Sequence, residues 1–468
     1  MNSELIVERR TPLPVSPEEV FAWHERAGAF ERLVPPWQRL EVLQHATRLE
    51  NGSRIRFRLH LGPFAILWTA EHRDVEIGRG FTDFQVTGPF DRWVHSHRFD
   101  PGPDGNAILH DRIRCELPLG VHLGRSRLAR ELVRVLRYRH AVTVADLAMH
   151  RRFAGGPRLH VAVTGASGLI GSMLIPALTT GGHRVTRVVR GRPRENEIRW
   201  DPLGPGLDPA ALRGVDAVVH LAGENIAGGR WTAPRRRRIL ESRRVGTLAL
   251  AKAIAAAADG PRVLVSASAI GFYGDRGDET LTERSEAGTG FLPAVAVAWE
   301  EGTRPATEAG VRVVRLRIGL LLTPGGGLLQ RMLAPFRLGL GGRLGTGDQW
   351  MSCISADDLV GAFHHALTTD QAVGPVNGVG PEPLTNAAFT RLLGTALRRP
   401  APFAVPSAAL RLAFGEMADE AILASTRVVP EALKKTGYPF RHPTVEAALA
   451  HVLGVPPTGP ADTFPRHE

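Results

Sequence analysis

The chain has 468 residues, 58 of them Lys or Arg and 47 Asp or Glu, with 43% hydrophobic and 22% charged residues, a balance that excludes a disordered or fibrous chain and calls for two or three domains. Only Lys252, Lys434 and Lys435 are lysines, so the formal charge of +11 is carried by Arg, whose guanidinium does not titrate. Two distant cysteines, Cys115 and Cys353, imply neither a disulfide framework nor a zinc site; no metal is predicted, and a reducing, cytoplasmic setting fits.

The first ten residues carry charges and no apolar core, which argues against a secretory signal. A strand is predicted at Leu5–Val7, then a helix opened by the capping box Ser16-Pro17-Glu18-Glu19, with Val20, Phe21 and Trp23 on its apolar side. Residues 54–61 alternate strictly, placing Ile55, Phe57, Leu59 and Leu61 on one face. Further strands are expected at 64–77, 80–87, 92–99 and 107–117, and a helix from about 122 to 152. This order resembles the helix-grip fold of the polyketide cyclase and START-related superfamily, a curved sheet around the last helix, and implies an α+β domain over 1–153 that could take an apolar ligand. Trp93, His95, His97 and Phe99 share one strand face, and Leu109, Asp111, Ile113 and Cys115 share another. Either the two His and the Asp line a pocket, or they are hydrogen-bonded structural groups or face solvent. The Arg runs at 125–139 and 235–244 lack interleaved aromatics and read as solvated faces, so no nucleic-acid partner is expected.

Ala154-Gly-Gly-Pro157 reads as a short linker. Residues 161–182 contain no formal charge, about the length of a membrane span, but five Gly and a Pro make them a strand, a turn and a helix, and no membrane partner is expected. An apolar β-branched strand runs into Gly165-x-x-Gly168-x-x-Gly171, with an apolar helix behind it. The first Gly permits a tight turn, the second lets the backbone approach a pyrophosphate, and the third lets helix pack on strand. Ser167, Leu169 and Ile170, at the helix start, complete the predicted phosphate cradle. Arg190, with Arg192 and Arg194 beyond, stands at the end of the next strand where an NAD-binding chain carries an acid, so NADP(H) is preferred, with NAD(H) as the alternative. The strand ending Leu221-Ala222-Gly223 passes beside the cofactor. Strands at 216–223, 262–268 and 311–321, alternating with helices at 232–258 and 293–309, describe a doubly wound parallel sheet.

Thr164-Gly-Ala-Ser-Gly-Leu-Ile-Gly171, His220-Leu-Ala-Gly223 and Ser266-Ala-Ser-Ala-Ile-Gly-Phe-Tyr-Gly274 together resemble the extended short-chain dehydrogenase/reductases. LAGENIAGGRW, ESRRVGT, NGVGPEPLTN and GEMADEAILASTRVVPEAL resemble, more narrowly, the atypical 39U epimerase group with its small C-terminal domain of unassigned role. The match runs from about 158 to 456, with a C-terminal α/β cap from about 400. Family members use a Ser or Thr after the Ser-rich strand and a Tyr-x-x-x-Lys on the next helix; here that helix, Phe291 to Glu300, has neither Tyr nor Lys. The resemblance leaves Ser268 at the hydroxyl position and Tyr273 as the nearest phenol, the two candidate catalytic residues. The expectation is an NADP(H)-dependent epimerase or oxidoreductase acting on a small carbonyl or hydroxyl compound, with a non-catalytic NADP(H) sensor or scaffold as the alternative. Oligomeric state is not legible. Gln349 to Asp358 resembles a family segment with a His that this chain replaces; Cys353 reads as a small hydrophobe.

Overall fold

Alternation of apolar and polar residues in the first quarter of the chain produces strands with one buried face each. The computed structural model describes residues 4–456 apart from 47, 119–123 and 205. Two compact units divide it, the first comprising residues up to Gly155 together with Thr179–Gly182, the second the rest.

In the first unit, β1 (Glu4–Leu13), β2 (Arg39–Gln44), β3 (Arg54–Leu61), β4 (Phe64–Glu76), β5 (Gly80–Thr87), β6 (Arg92–Pro101) and β7 (Ala107–Glu116) form an antiparallel sheet ordered β1-β7-β6-β5-β4-β3-β2. Helix α1 (Pro17–Glu25) begins at Ser16, whose Oγ accepts from the Glu19 amide at 3.4 Å. It buries Val20, Phe21 and Trp23 against Phe99 and Leu109. A short helix, α2 (Ala29–Leu33), and β2 were not anticipated from the sequence. Helix α3 (Arg125–Arg152) packs Leu132 and Leu136 on Leu5, Val7, Ile113 and Cys115, and Leu147 among the α1 residues. Residues 122 and 123 of the predicted helix lie outside the described residues. The alternation in β3 holds only in its first half: Ile55 and Phe57 are buried, but Leu61 is 53% exposed, because it pairs with Phe64 across the hairpin end, beyond the core.

The second unit is built on a parallel sheet of seven strands. Its order is β10 (Glu197–Arg199), β9 (Arg184–Val189), β8 (His160–Thr164), β11 (Ala217–His220), β12 (Val263–Ala269), then Arg312–Ile318 and Gly374–Gly378. Successive residues point to opposite faces. Val161 and Val163 meet Leu174 and Leu178 of α4 (Leu169–Thr180), while Ala162, Val218 and Leu264 meet Leu250 and Ile254 of α5 (Ala233–Ala256). That is the doubly wound α/β architecture expected. The uncharged stretch 161–182 is thus strand, turn and helix, and among the described residues no helix is long and apolar enough to cross a membrane. The strand predicted at 311–321 is broken at Gly319. There Leu320 donates to the Ser352 carbonyl, and the chain continues as Leu320–Leu322 beside Cys353–Ser355, outside the main sheet. A Cβ on Gly319 would stand 2.4 Å from that carbonyl oxygen, so only Gly admits the approach.

Candidate functional site

The carboxyl ends of adjacent strands gather the predicted binding loops. β8 pairs with β9 and β11 so that Thr164 stands beside Val188 and His220. Gly165, Leu221 and, two residues past Val188, Arg190 therefore emerge from one edge. Gly165 has φ +65°, and a Cβ there would lie 2.8 Å from the Leu221 carbonyl carbon; on Gly171 it would lie 2.6 Å from the Gly165 oxygen. Both glycines are demanded by the protein's own packing. Gly168 differs: it has no left-handed φ, and the only atom near a Cβ would be the Gly165 oxygen at 3.1 Å. Ser167 and Gly168 are exposed, and Leu169 and Ile170 half-buried, at the start of α4. The first-turn amides of a helix have no carbonyl one turn back, so they are available to an anion. Gly165→Ala combines a left-handed backbone with a backbone clash and is expected to cost at least about 1–2 kcal/mol; a denaturant midpoint at or above wild type would contradict the assignment.

Beneath the second loop, Thr164 Oγ1 accepts from the amides of Leu221 (3.1 Å) and Ala222 (3.3 Å) and meets His220 Nδ1 at 2.8 Å. His220 Nε2 meets Thr247 Oγ1 at 2.9 Å. Burial first, then the Arg243 charge, pushes His220 down to about 3, so the ring is neutral and structural. Arg243, read from sequence as part of a solvated basic face, is buried: it donates to the Glu224 (3.0 Å) and Ile239 (3.2 Å) carbonyls and lies over Trp299. Burial lowers it to about 10 despite Glu224. It props the loop carrying Gly223, which is exposed.

The two proposed catalytic residues are placed differently. β12 pairs Ser268 with Arg317, and Ser268 Oγ donates to Glu300 Oε1 at 2.8 Å. Arg317 clasps Glu300 with Nε to Oε1 at 2.7 Å and Nη2 to Oε2 at 2.8 Å, and donates from Nη1 to Tyr273 Oη at 2.9 Å. Tyr273 in turn donates to Asn377 Oδ1 at 2.7 Å. Arg317 also lies 3.5 Å from the Phe272 ring centroid. Burial raises the Tyr273 phenol above its ordinary value, with Arg317 opposing in part. Burial would lower Arg317, but Glu300 overrides it and the net shift is upward. Tyr273 is wholly buried and donates its phenolic proton to Asn377, an arrangement that suits a structural phenol. Ser268, 2% exposed, has likewise committed its proton to Glu300 and cannot donate to a substrate oxygen without releasing it. Sequence reading missed Glu300, Arg317 and Asn377; the signal was Arg315 and Arg317 among the Val, Leu and Ile that follow Arg312 in the strand.

Helix α6 (Phe291–Glu301), the position at which the resemblance implies Tyr and Lys, instead packs Phe291 and Val295 with Ile239. Its start is capped by Glu420, whose oxygens accept from the Phe291 (2.8 Å) and Leu292 (2.7 Å) amides, so the GEMADEAIL segment is fixed to the strand-end loops. Cys353 is buried, and burial pushes its thiol up to about 12, as befits a small hydrophobe. In the first unit His95, His97 and Asp111 are all buried.

Residues 161–378 match the NAD dependent epimerase/dehydratase family, residues 13–146 the polyketide cyclase / dehydrase and lipid transport family, and residues 405–452 a domain of unknown function. The epimerase family protein Mb2239 of Mycobacterium bovis is 46% identical over 297 residues, 63% of this chain and 98% of that protein. The structure of a nucleoside-diphosphate sugar epimerase from Corynebacterium glutamicum superposes with a TM-score of 0.81 at 34% identity, over 96% of this chain and 90% of that one. Human epimerase family protein SDR39U1, solved with NADPH, superposes with a TM-score of 0.58 at 36% identity, over 63% of this chain and 99% of that one.

Proposed function

The chain belongs to the NAD dependent epimerase/dehydratase family, and from that premise we propose that it binds NADP(H) on the Gly165–Gly171 turn and uses it on a small carbonyl or hydroxyl compound. The observation that carries the reading is the exposed Gly168, where an added Cβ would meet a single atom, the Gly165 oxygen at 3.1 Å, between two glycines that the fold itself requires. The residues present fit the cofactor. Exposed Ser167 and Gly168, with half-buried Leu169 and Ile170, present a helix start to the pyrophosphate, and half-buried Leu221 and Ala222 lead to the exposed Gly223 beside it. Arg190, exposed at the end of β9, offers a guanidinium to a 2′-phosphate. Bound NADP(H) would supply the hydride. The chain's own part is to bind and orient the dinucleotide, with Glu300 holding β12 to α6 through Ser268 and the Arg312–Ile318 strand through Arg317.

Because hydrogen bonds to charged groups contribute about 1.5–3 kcal/mol, Arg190→Ala is expected to weaken NADPH by about 10- to 100-fold and leave NADH unchanged. Fluorescence titration of both cofactors checks this, and equal losses for the two would remove Arg190 from the site. A second reading, an NADP(H)-binding protein without turnover, is favoured by the committed hydroxyls of Ser268 and Tyr273. NADPH oxidation against carbonyl compounds, nucleoside-diphosphate sugars included, separates the two: consumption supports catalysis, and tight binding with none supports the second reading.

A further inference from the structure

The first unit contains an array of imidazoles and carboxylates that dinucleotide chemistry does not use. Strands β5, β6 and β7 are neighbours, and their register sets Asp83 opposite His95 and His97 opposite Asp111. His97 meets a carboxylate at each ring nitrogen: Nδ1 is 2.8 Å from Asp111 Oδ1, and Nε2 is 3.2 Å from Asp83 Oδ2. Asp83 is held on its other oxygen by His72 Nδ1 at 2.6 Å. The His95 ring lies 3.9 Å from that of His97, yet its Nε2, 3.7 Å from Asp111 Oδ2, has no hydrogen-bond partner among the described residues, although His95 is 3% exposed. Asp111, 2% exposed, meets His95, His97 and His140 but no Lys or Arg within ion-pair distance among the described residues.

Asp111, fully buried, and Asp83, whose side chain is 20% exposed, together need a compensating cation. An imidazolium at His97 would satisfy Asp83 and Asp111 but leave His95 Nε2 orphaned. A metal ion accounts for both. If Nδ1–H of His97 donates to Asp111, the Nε2 lone pair faces Asp83, and the arrangement becomes the carboxylate–histidine–metal relay that orients first ligands. Donor atoms of Asp83, His95 and His97 lie within 4.8 Å of one another, so sub-ångström side-chain adjustments bring all three to bonding distance.

We propose that Asp83, His95 and His97 form a binding site for a first-row divalent transition ion, with Asp111 and His72 as the groups that orient the ligands. Two imidazoles and one carboxylate suit zinc, cobalt or ferrous iron and disfavour magnesium and calcium, which demand oxygen. Three protein ligands leave a position for water or a small oxygen ligand.

The test uses the full chain, stripped with a chelator and titrated with Zn2+ by calorimetry and with Co2+ by visible absorption. One Zn2+ per chain is expected, with d–d bands of imidazole-bound Co2+, and no displacement by millimolar Mg2+. Asp83→Asn and His95→Gln should each weaken binding at least about 10-fold, whereas His45→Gln, at a surface-exposed ring of the same unit, should leave it unchanged. If either site variant fails to fold, the Co2+ spectrum of the wild type still decides. No stoichiometric uptake, or equal affinity in wild type and Asp83→Asn, would overturn the proposal. So would a doubly protonated His97 ring in nitrogen NMR of chain saturated with Zn2+, which would make the cluster an imidazolium–carboxylate ion pair.

Discussion

Arg317→Ala is expected to lower the unfolding free energy of the second unit by about 3–5 kcal/mol, the range found when one partner of a buried ion pair is removed. Glu300 is 7% and Arg317 4% exposed, so the carboxylate left behind would be uncompensated in an apolar interior. The loss extends beyond the pair. Ser268 would keep Glu300 as acceptor, but Tyr273 would lose the 2.9 Å donor at its oxygen, and the Phe272 face would lose its cation. A fall in melting temperature on the order of 10 °C follows from typical unfolding entropies. Tyr273→Phe removes only the phenolic links and should cost about 1–3 kcal/mol, with NADPH affinity unchanged, because the Tyr273 side chain is wholly buried. Denaturant unfolding of both variants, alongside cofactor titration, checks these values. A Tyr273→Phe variant of wild-type stability that had lost turnover would return Tyr273 to the chemistry and sink the structural assignment.

This network shows where sequence reading stops. Gly165, Gly168 and Gly171 were legible because local turn chemistry and helix-start geometry depend on neighbours in sequence, and β7 and the first half of β3 because period-two alternation is written residue by residue. Glu300 and Arg317 are 17 positions apart on a helix and a strand, and only the register Ser268 to Arg317 reveals that they meet. The same holds for Arg243. Within the run Arg235 to Arg244 nothing local separates the exposed Arg237, Arg238 and Arg244 from the one guanidinium that turns under Gly223. In the first unit the face shared by His95 and His97 was visible from alternation. That Asp83 joins it from β5 required strand order, which alternation does not encode.

Gly168→Val is expected to abolish dinucleotide binding, a loss of more than about 100-fold, in a chain that still folds. The prediction rests on the unequal surroundings of the three glycines. At Gly165 and Gly171 an added Cβ would strike backbone at 2.8 Å and 2.6 Å, so substitutions there damage the turn itself and say little about ligand. At Gly168 the backbone has an ordinary φ and the nearest atom is the Gly165 oxygen at 3.1 Å, a contact that a few tenths of an ångström relieve. The amide of Gly168 already donates to the Gly165 carbonyl at 2.9 Å, and its carbonyl accepts from Ser172 at 2.9 Å, so the local turn survives replacement. The isopropyl group would instead project into the exposed space before the first turn of α4, where a pyrophosphate must approach the backbone. Circular dichroism and thermal melting establish folding, and fluorescence titration with NADPH measures binding. Wild-type affinity in a well-folded Gly168→Val chain would mean that the glycine turn serves packing alone, and that the dinucleotide, if bound, lies elsewhere.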